Sequence, residues 1–126
     1  MEFKVNSKEL EKLLSKIIPA VPTRTPMPIL ENFLFEIKDG LLTVYATDLE
    51  ISLKSSLKIV SVENAKLLLP AKLLYDVVKS LSDTTIRFEI LPNGKVNLLT
   101  DLGKYNLSYL SHDEFPEIPD FPNDTL

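Results

Sequence analysis

The sequence predicts an α+β fold in which a β-α-β-β-β unit occurs twice, with two helices packed on one side of antiparallel sheets. Two segments repeat apolar residues with the period of an amphipathic helix, and the remaining segments alternate apolar and polar residues as strands do. Short turn sequences that contain proline, glycine, asparagine or aspartate separate these segments. The same order of strands and helix appears in both halves, although the halves are not visibly alike in sequence.

The first unit begins with a strand of alternating apolar residues and continues into a helix. Asn6 stands three residues before Glu9, a spacing typical of a capped helix start, and Pro19 ends the helix. A proline-rich loop follows, and the pair Asp39-Gly40 is a strong signal for a tight hairpin between two of the next strands. The predicted elements are a strand at 2–6, a helix at 7–18, a loop at 19–28 and strands at 32–38, 41–47 and 50–59.

The second unit repeats this order. Pro70 precedes its helix, a position that proline favours, and the sequence Pro92-Asn93-Gly94 predicts a turn between strands. The predicted elements are strands at 65–69, 84–90, 95–100 and 104–110 and a helix at 71–81. The remaining residues, 111–126, are rich in proline and acids, and we expect a linker that leads to a second domain.

The composition excludes several classes of function. The chain has no cysteine, so thiol catalysis, thiolate metal sites and disulfides are ruled out. No apolar stretch approaches the roughly 20 residues that cross a bilayer, and we expect a cytoplasmic protein. The formal net charge of −4 does not suggest a protein held on nucleic acid by affinity, which usually carries a basic surface. A role on DNA would require local positive charge, or topology in place of affinity.

Each helix has an apolar stripe and a row of lysines. The predicted stripe of the first helix is Leu10, Leu13, Leu14, Ile17 and Ile18, and that of the second is Leu73, Leu74, Val77, Val78 and Leu81. Lysines recur on roughly the opposite faces at Lys8, Lys12, Lys16, Lys72 and Lys79. Two such helices side by side would form a basic surface suited to a phosphate backbone, whereas the simpler interpretation is an ordinary solvated helix face.

Candidate catalytic residues are few. His112 is the only histidine, and it has no second histidine to complete a metal site. Asp48 and Glu50 could face one side and hold a metal ion, although a turn role for Asp48 is the simpler explanation. A carboxylate-based hydrolase that uses these three residues therefore remains an alternative, and no glycine-rich phosphate loop or serine nucleophile motif supports it.

Five short motifs in order resemble the amino-terminal domain of bacterial DNA sliding clamps. They are Pro28-Ile29-Leu30-Glu31-Asn32, Asp39-Gly40, Thr47-Asp48-Leu49-Glu50, Leu69-Pro70-Ala71-Lys72 and Leu110-Ser111-His112-Asp113-Glu114-Phe115-Pro116. The resemblance covers residues 1–122, and the sequence departs from the family at Ser111 and His112, where proline and alanine are common.

The resemblance implies the DNA-clamp fold and a processivity factor that has no enzymatic activity and no cofactor. Clamps of this family have three such domains in each subunit, and two subunits close into a homodimer ring around duplex DNA. The implied partners are duplex DNA, the replicative DNA polymerase and the clamp loader, and no membrane. We expect residues 1–122 to be the first domain and residues 123–126 to begin the linker to the second. An unrelated α+β protein-interaction module is the alternative.

The resemblance also assigns roles to individual residues. Arg24 stands where the family has a basic DNA contact, and Lys72 stands at the basic position of the fourth motif; each could instead be a solvated residue. Lys8, Lys12, Lys16 and Lys79 are further expected DNA contacts, chosen from the helical wheel. The strand at 104–110 resembles the edge strand that pairs with the other subunit. Its expected interface residues are Lys104, Tyr105 and Leu107, although the last two could face this domain's own core.

Overall fold

The computed structural model describes residues 1–117, which form nine β-strands and two α-helices in the predicted α+β arrangement. The strands are β1 (Glu2–Asn6), β2 (Asn32–Lys38), β3 (Leu41–Thr47), β4 (Ser52–Lys58), β5 (Val60–Ser61), β6 (Ala65–Pro70), β7 (Thr85–Ile90), β8 (Lys95–Thr100) and β9 (Gly103–Ser108). The helices are α1 (Ser7–Ile17) and α2 (Ala71–Ser80). Neither helix is long and apolar enough to span a membrane.

The strands form two antiparallel sheets, and each sheet draws strands from both predicted units. The five-stranded sheet has the order β5-β1-β7-β8-β9, and the four-stranded sheet has the order β4-β3-β2-β6. The first strand of each unit therefore pairs with the strands of the other unit, β1 with β7 and β6 with β2. This exchange joins the two units into one body, since neither sheet is complete without a strand from the other half.

The strand predicted at 50–59 is shorter in the structure, and a further strand, β5, follows it. A turn occupies residues 48–51, so β4 begins at Ser52, and the chain then crosses to the five-stranded sheet as β5. Ile51, which falls within the predicted strand, is 55% exposed because it belongs to the turn. The hairpin at Asp39-Gly40 is confirmed: both residues have positive φ (52° and 78°), as the tight turns that join twisted strands require.

The core lies between the inner faces of the two sheets and the apolar sides of the helices. The rings of Phe3 and Phe88 stack with their centroids 4.6 Å apart, and Phe35 of the other sheet lies 6.2 Å from Phe88. Leu14 of α1 and Leu74 of α2 are fully buried against this cluster. The helices are therefore held to the sheets by their apolar stripes, which leaves their polar sides on the surface.

A smaller apolar cluster covers the opposite face of the four-stranded sheet. Phe115 packs there with Leu30, Leu34 and Leu68, after a single 3₁₀ turn at His112–Glu114. The segment predicted as a linker from residue 111 onward is thus part of the domain as far as residue 117. The predicted domain boundary at residue 122 lies outside the described residues.

Candidate nucleic-acid interface

The start of α1 is fixed by a side-chain cap. Asn6 Oδ1 accepts hydrogen bonds from the backbone N–H groups of Lys8 (2.9 Å) and Glu9 (3.0 Å), which would otherwise have no partner in the helix. The predicted role of Asn6 as the cap is confirmed. Because the cap sets where the helix begins, it also decides which side chains follow the apolar stripe into the core and which face solvent.

The lysine row of α1 is exposed on the side opposite the core. Lys8, Lys12 and Lys16 follow one another at intervals of four residues, so each lysine is rotated by about 40° around the helix axis relative to the one before it. The Lys8 ammonium group lies 3.4 Å from Glu11 Oε1 and donates to the backbone oxygen of Leu81 (3.2 Å). Lys12 and Lys16 have no ion pair with any residue in the range 1–117.

The second helix presents a shorter lysine row. Lys72 and Lys79 are exposed seven residues apart and share one side of α2. Lys72 has no ion pair within the described part of the chain, whereas Lys79 lies 3.9 Å from Asp76 and its ammonium group sits 4.8 Å from the centre of the Tyr75 ring. Of these two lysines, Lys72 therefore keeps more of its charge available to a ligand.

One residue of the predicted apolar stripe of α2 is not buried. Leu73 is 52% exposed, because the helical rotation of about 100° per residue carries it away from the arc occupied by Ala71, Leu74 and Val78. The exposed side of α2 therefore includes one large apolar side chain. The prediction that Leu73 packs in the core was wrong.

The two helices pack directly against each other. Together they carry five lysines and three acids, a formal charge of +2 on a chain whose total is −4. The remainder of the chain therefore carries −6, and five of its acids fall between residues 113 and 124. Positive charge is thus concentrated on the helix side of the domain, although it is modest in amount.

Arg24 lies in the loop between α1 and β2, between two 3₁₀ turns at Ile18–Ala20 and Pro28–Glu31. Its side chain is exposed and has no ion pair with any residue from 1 to 117. The loop is locally ordered by Thr25, whose Oγ1 accepts a hydrogen bond from the N–H of Met27 (3.0 Å). The guanidinium group is therefore available to a ligand.

The last strand, β9, is an edge strand of the five-stranded sheet, and its two sides differ. Tyr109, just beyond it, donates its backbone N–H to the carbonyl oxygen of Gly94 (2.9 Å), on the side of β8. Backbone groups alternate in direction along a strand, so those of Tyr105 and Leu107 also face β8. The N–H and C=O groups of Lys104, Asn106 and Ser108 therefore face the open edge of the sheet. Just beyond the strand, the backbone groups of Leu110 point to the same side and pair with those of Leu68 in the other sheet (3.0 and 2.9 Å).

The side chains of β9 alternate in the same way. Leu107 is 5% exposed and lies in this domain's own core, and Tyr105 is half-buried against that core. Lys104, Asn106 and Ser108 are exposed on the outer face. The side chain of Leu107 thus faces the core and its backbone groups face β8, so neither is directed to the open edge. Asn106 and Ser108, which were not among the expected interface residues, share the outer face with Lys104, as the alternation of the strand indicates.

The candidate catalytic residues do not form a site. Asp48 Oδ1 accepts hydrogen bonds from the backbone N–H groups of Ile51 (2.7 Å) and Glu50 (2.9 Å), which close the turn after β3. These bonds, chiefly the one from Ile51, lower the pKa of Asp48 below its ordinary value. The turn role of Asp48 is confirmed. Among residues 1–117, no group of three or more histidine, aspartate and glutamate side chains could hold a metal ion.

A cavity of about 540 Å³ lies on the outer face of the four-stranded sheet. His112 lines it with Tyr45, Lys66 and Phe115, whereas neither Asp48 nor Glu50 does. The imidazole of His112 lies 3.8 Å from Asp113 Oδ1 at an exposed position. This cavity therefore does not bring together the three residues of the hydrolase alternative.

Fold and surface together define an α+β domain with a paired-helix basic side and an open sheet edge. Residues 1–119 match the family described as DNA polymerase III beta subunit, N-terminal domain, and the chain belongs to that family.

Relatives and solved structures agree with this assignment. A "Beta sliding clamp" of Buchnera aphidicola subsp. Acyrthosiphon pisum is 32% identical over 96% of the chain and 33% of the relative, and one of Chlamydia pneumoniae is 28% identical over 98% and 34%. A crystal structure of a DnaN sliding clamp (DNA polymerase III subunit beta) from Pseudomonas aeruginosa bound to griselimycin matches with a TM-score of 0.88 and 27% identity, over 97% of the chain and 33% of that protein. The chain thus spans about a third of the length of these proteins.

Proposed function

We propose that this chain is the first domain of a ring-shaped processivity factor, which encircles duplex DNA and tethers the replicative polymerase without catalysing a reaction. The observation that carries the proposal is the paired-helix surface, where Lys12, Lys16 and Lys72 are exposed and unpaired within the described residues on a chain of net negative charge. A ring retains DNA by enclosure, so a small basic lining is sufficient and the rest of the surface is free to be acidic.

The chemistry of this surface suits contact that does not depend on sequence. Lysine ammonium groups are flexible point charges with no fixed paired geometry, so they can follow phosphates as the duplex moves past. We assign contact with the phosphate backbone to Lys12, Lys16, Lys72 and Arg24, whose charges have no ion pair within residues 1–117. Lys79 and Lys8 rank behind them, because Asp76 and Glu11 respectively lie beside their ammonium groups.

Ring closure would use the open edge of β9. Lys104, Asn106 and Ser108 present unpaired backbone groups along that edge and direct their side chains outward, so a strand of another domain can extend the sheet there. We propose that this strand comes from a second subunit of a homodimer. The polymerase and the clamp loader would act on the assembled ring in the cytoplasm, and no cofactor is needed.

The proposal is tested by replacing Arg24→Ala and Lys72→Ala together in the native polypeptide. We expect loading on primed DNA, or the length copied in one binding event, to fall while thermal unfolding is unchanged. A matched variant, Lys38→Ala with Lys58→Ala, removes two exposed strand lysines and should leave both measurements unchanged. Equal behaviour of the two variants would remove Arg24 and Lys72 from the DNA contact.

A further inference from the structure

The beginning of α1 is bonded to the turn that follows α2, through a buried serine. Ser7 is fully buried, and its backbone N–H donates to the carbonyl oxygen of Thr84 (2.8 Å). Its hydroxyl group donates to the carbonyl oxygen of Ser82 (2.7 Å) and accepts from the N–H of Thr84 (3.0 Å). One side chain at the first position of α1 therefore fills two hydrogen-bonding positions of a turn that lies 75 residues further along the chain.

The residues on either side of Ser7 extend this contact. Asn6 Nδ2 donates to Asp83 Oδ1 (2.8 Å), and Lys8 Nζ donates to the backbone oxygen of Leu81 (3.2 Å), the residue that ends α2. We call residues 6–8 together with residues 81–84 the helix clasp. The Lys8 ammonium group also satisfies a carbonyl at the end of α2, where a positive charge is favourable.

The corresponding position of α2 lacks such a group. That helix begins at Ala71, whose methyl side chain cannot hydrogen-bond, and Pro70 before it makes no side-chain cap. The Ser7 hydroxyl therefore bonds the start of α1 to the turn after α2, and no side chain makes an equivalent hydrogen bond at the start of α2 within the described residues. Elsewhere the two helices face each other and the sheets through apolar side chains, which set spacing but are less directional than hydrogen bonds.

We infer that Ser7 is a positioning residue, which fixes how α1 lies against α2 so that Lys12, Lys16 and Lys72 form one surface. Removing its hydroxyl leaves the carbonyl of Ser82 and the N–H of Thr84, which are partly buried, without this partner, and the turn then separates from α1 so that these groups reach water. Lys8 Nζ is engaged in the clasp, in keeping with its lower rank among the proposed DNA contacts. The role of Ser7 in placing the helices does not depend on the proposed function, whereas the effect of this placement on DNA binding rests on that function.

The test compares Ser7→Ala with Ser15→Ala in the same helix. Ser15 is exposed and its hydroxyl donates to the carbonyl oxygen of Lys12 within α1, so its loss leaves the clasp intact. The chain has no cysteine, so spin labels can be placed at Lys12→Cys and Asp76→Cys without background. We expect Ser7→Ala to widen the distance distribution between the labels or to shift its mean by ~2 Å, the scale of helix displacements in folded proteins, and Ser15→Ala to change neither.

Binding to a short DNA duplex, measured on the unlabelled variants at low salt, is expected to weaken at least ~2-fold for Ser7→Ala alone, which is a change of about 0.4 kcal/mol. A folded Ser7→Ala chain with the same label distances as Ser15→Ala would overturn the inference. Changed distances with unchanged duplex binding would support the placement by Ser7 and contradict the proposed DNA role of the surface.

Two measurements keep the inference testable if Ser7→Ala does not fold. Asp83→Ala removes only the contact from the Asn6 amide at an exposed turn, and we expect a smaller change of the label distances in the same direction; no change would overturn the inference. In the unmodified chain, the N–H of Thr84 should exchange with solvent at least ~10-fold more slowly than that of Asp83, because it donates to the buried Ser7 hydroxyl. Equal exchange would also overturn it.

Discussion

Neutralising the three unpaired helix lysines is expected to change how DNA binding responds to salt. Lys12→Gln, Lys16→Gln and Lys72→Gln together remove charges that have no ion pair within residues 1–117. The logarithm of the binding constant falls linearly with the logarithm of the salt concentration, and each lysine that contacts a phosphate makes this slope steeper by about 0.9. The three substitutions should therefore reduce the magnitude of the slope by up to ~2.7. The affinity ratio of unmodified to variant chain should then fall by up to about 20-fold between ~50 and ~150 mM salt.

The assay is fluorescence anisotropy of a short labelled duplex, titrated with the chain at several salt concentrations. The unmodified chain should itself bind weakly and with strong salt dependence, because one domain cannot enclose DNA. The control replaces Lys4, Lys38 and Lys58 with glutamine, which removes equal charge from exposed strand positions. If the two triple variants lose the same slope, net charge alone governs binding and the helix surface has no special role; if neither loses any, the assignment of the helix lysines is refuted.

Three further predictions concern stability and the sheet edge. Leu74→Ala should lower the free energy of unfolding by about 2–5 kcal/mol in a denaturant titration, because it empties a fully buried position, whereas the adjacent Leu73→Ala should change it by less than ~0.5 kcal/mol; similar losses would contradict the helix orientation. At neutral pH Asp48→Ala should destabilise the chain more than Asp48→Asn, because asparagine keeps the acceptor oxygen and loses only the charge. Since folding lowers the Asp48 pKa, the contribution of the charge is present above the unfolded-state pKa and is lost as the pH falls through the folded-state value. The stability difference between the unmodified chain and Asp48→Asn should therefore shrink in thermal unfolding at acid pH, and a difference that does not change with pH would contradict this role of the charge. Asn106→Pro should leave the chain folded by circular dichroism but weaken self-association of the native polypeptide in sedimentation, because the N–H group of Asn106 faces the open edge. Leu107→Pro should unfold the chain, because the N–H group of Leu107 bonds to β8. Unchanged association of Asn106→Pro would remove β9 from the interface.

The local elements of this fold could be predicted because they depend on neighbouring residues. The cap at Asn6, the lysine rows and the hairpin at Asp39-Gly40 all follow from spacings of a few residues, and all three lie as expected. Leu73 shows the limit of that method, because it stands at the edge of an apolar run and only the packing of α2 decides which leucines enter the core.

The long-range features could not be predicted from periodicity. β1 pairs with a strand of the second unit and β6 pairs with a strand of the first. The alternation of apolar and polar residues shows which face of a strand is buried but not which strand lies beside it. The turn at 48–51 extends into the strand that was predicted from residue 50, and it holds Leu49 at a φ of 81°, a conformation that leucine seldom adopts. Ser7 resembles any other serine near a helix start until the turn at Ser82 is brought beside it.

Retention on circular DNA tests enclosure most directly. The native polypeptide would be loaded on a nicked DNA circle with the loader from the same cells, washed at high salt and followed after the circle is cut to a linear form. The account predicts salt-resistant retention on the circle and rapid loss from the free ends once the DNA is linear, because a ring leaves by sliding off. Equal retention on both forms, or loss from the intact circle as salt rises, would show binding by affinity and would contradict the ring.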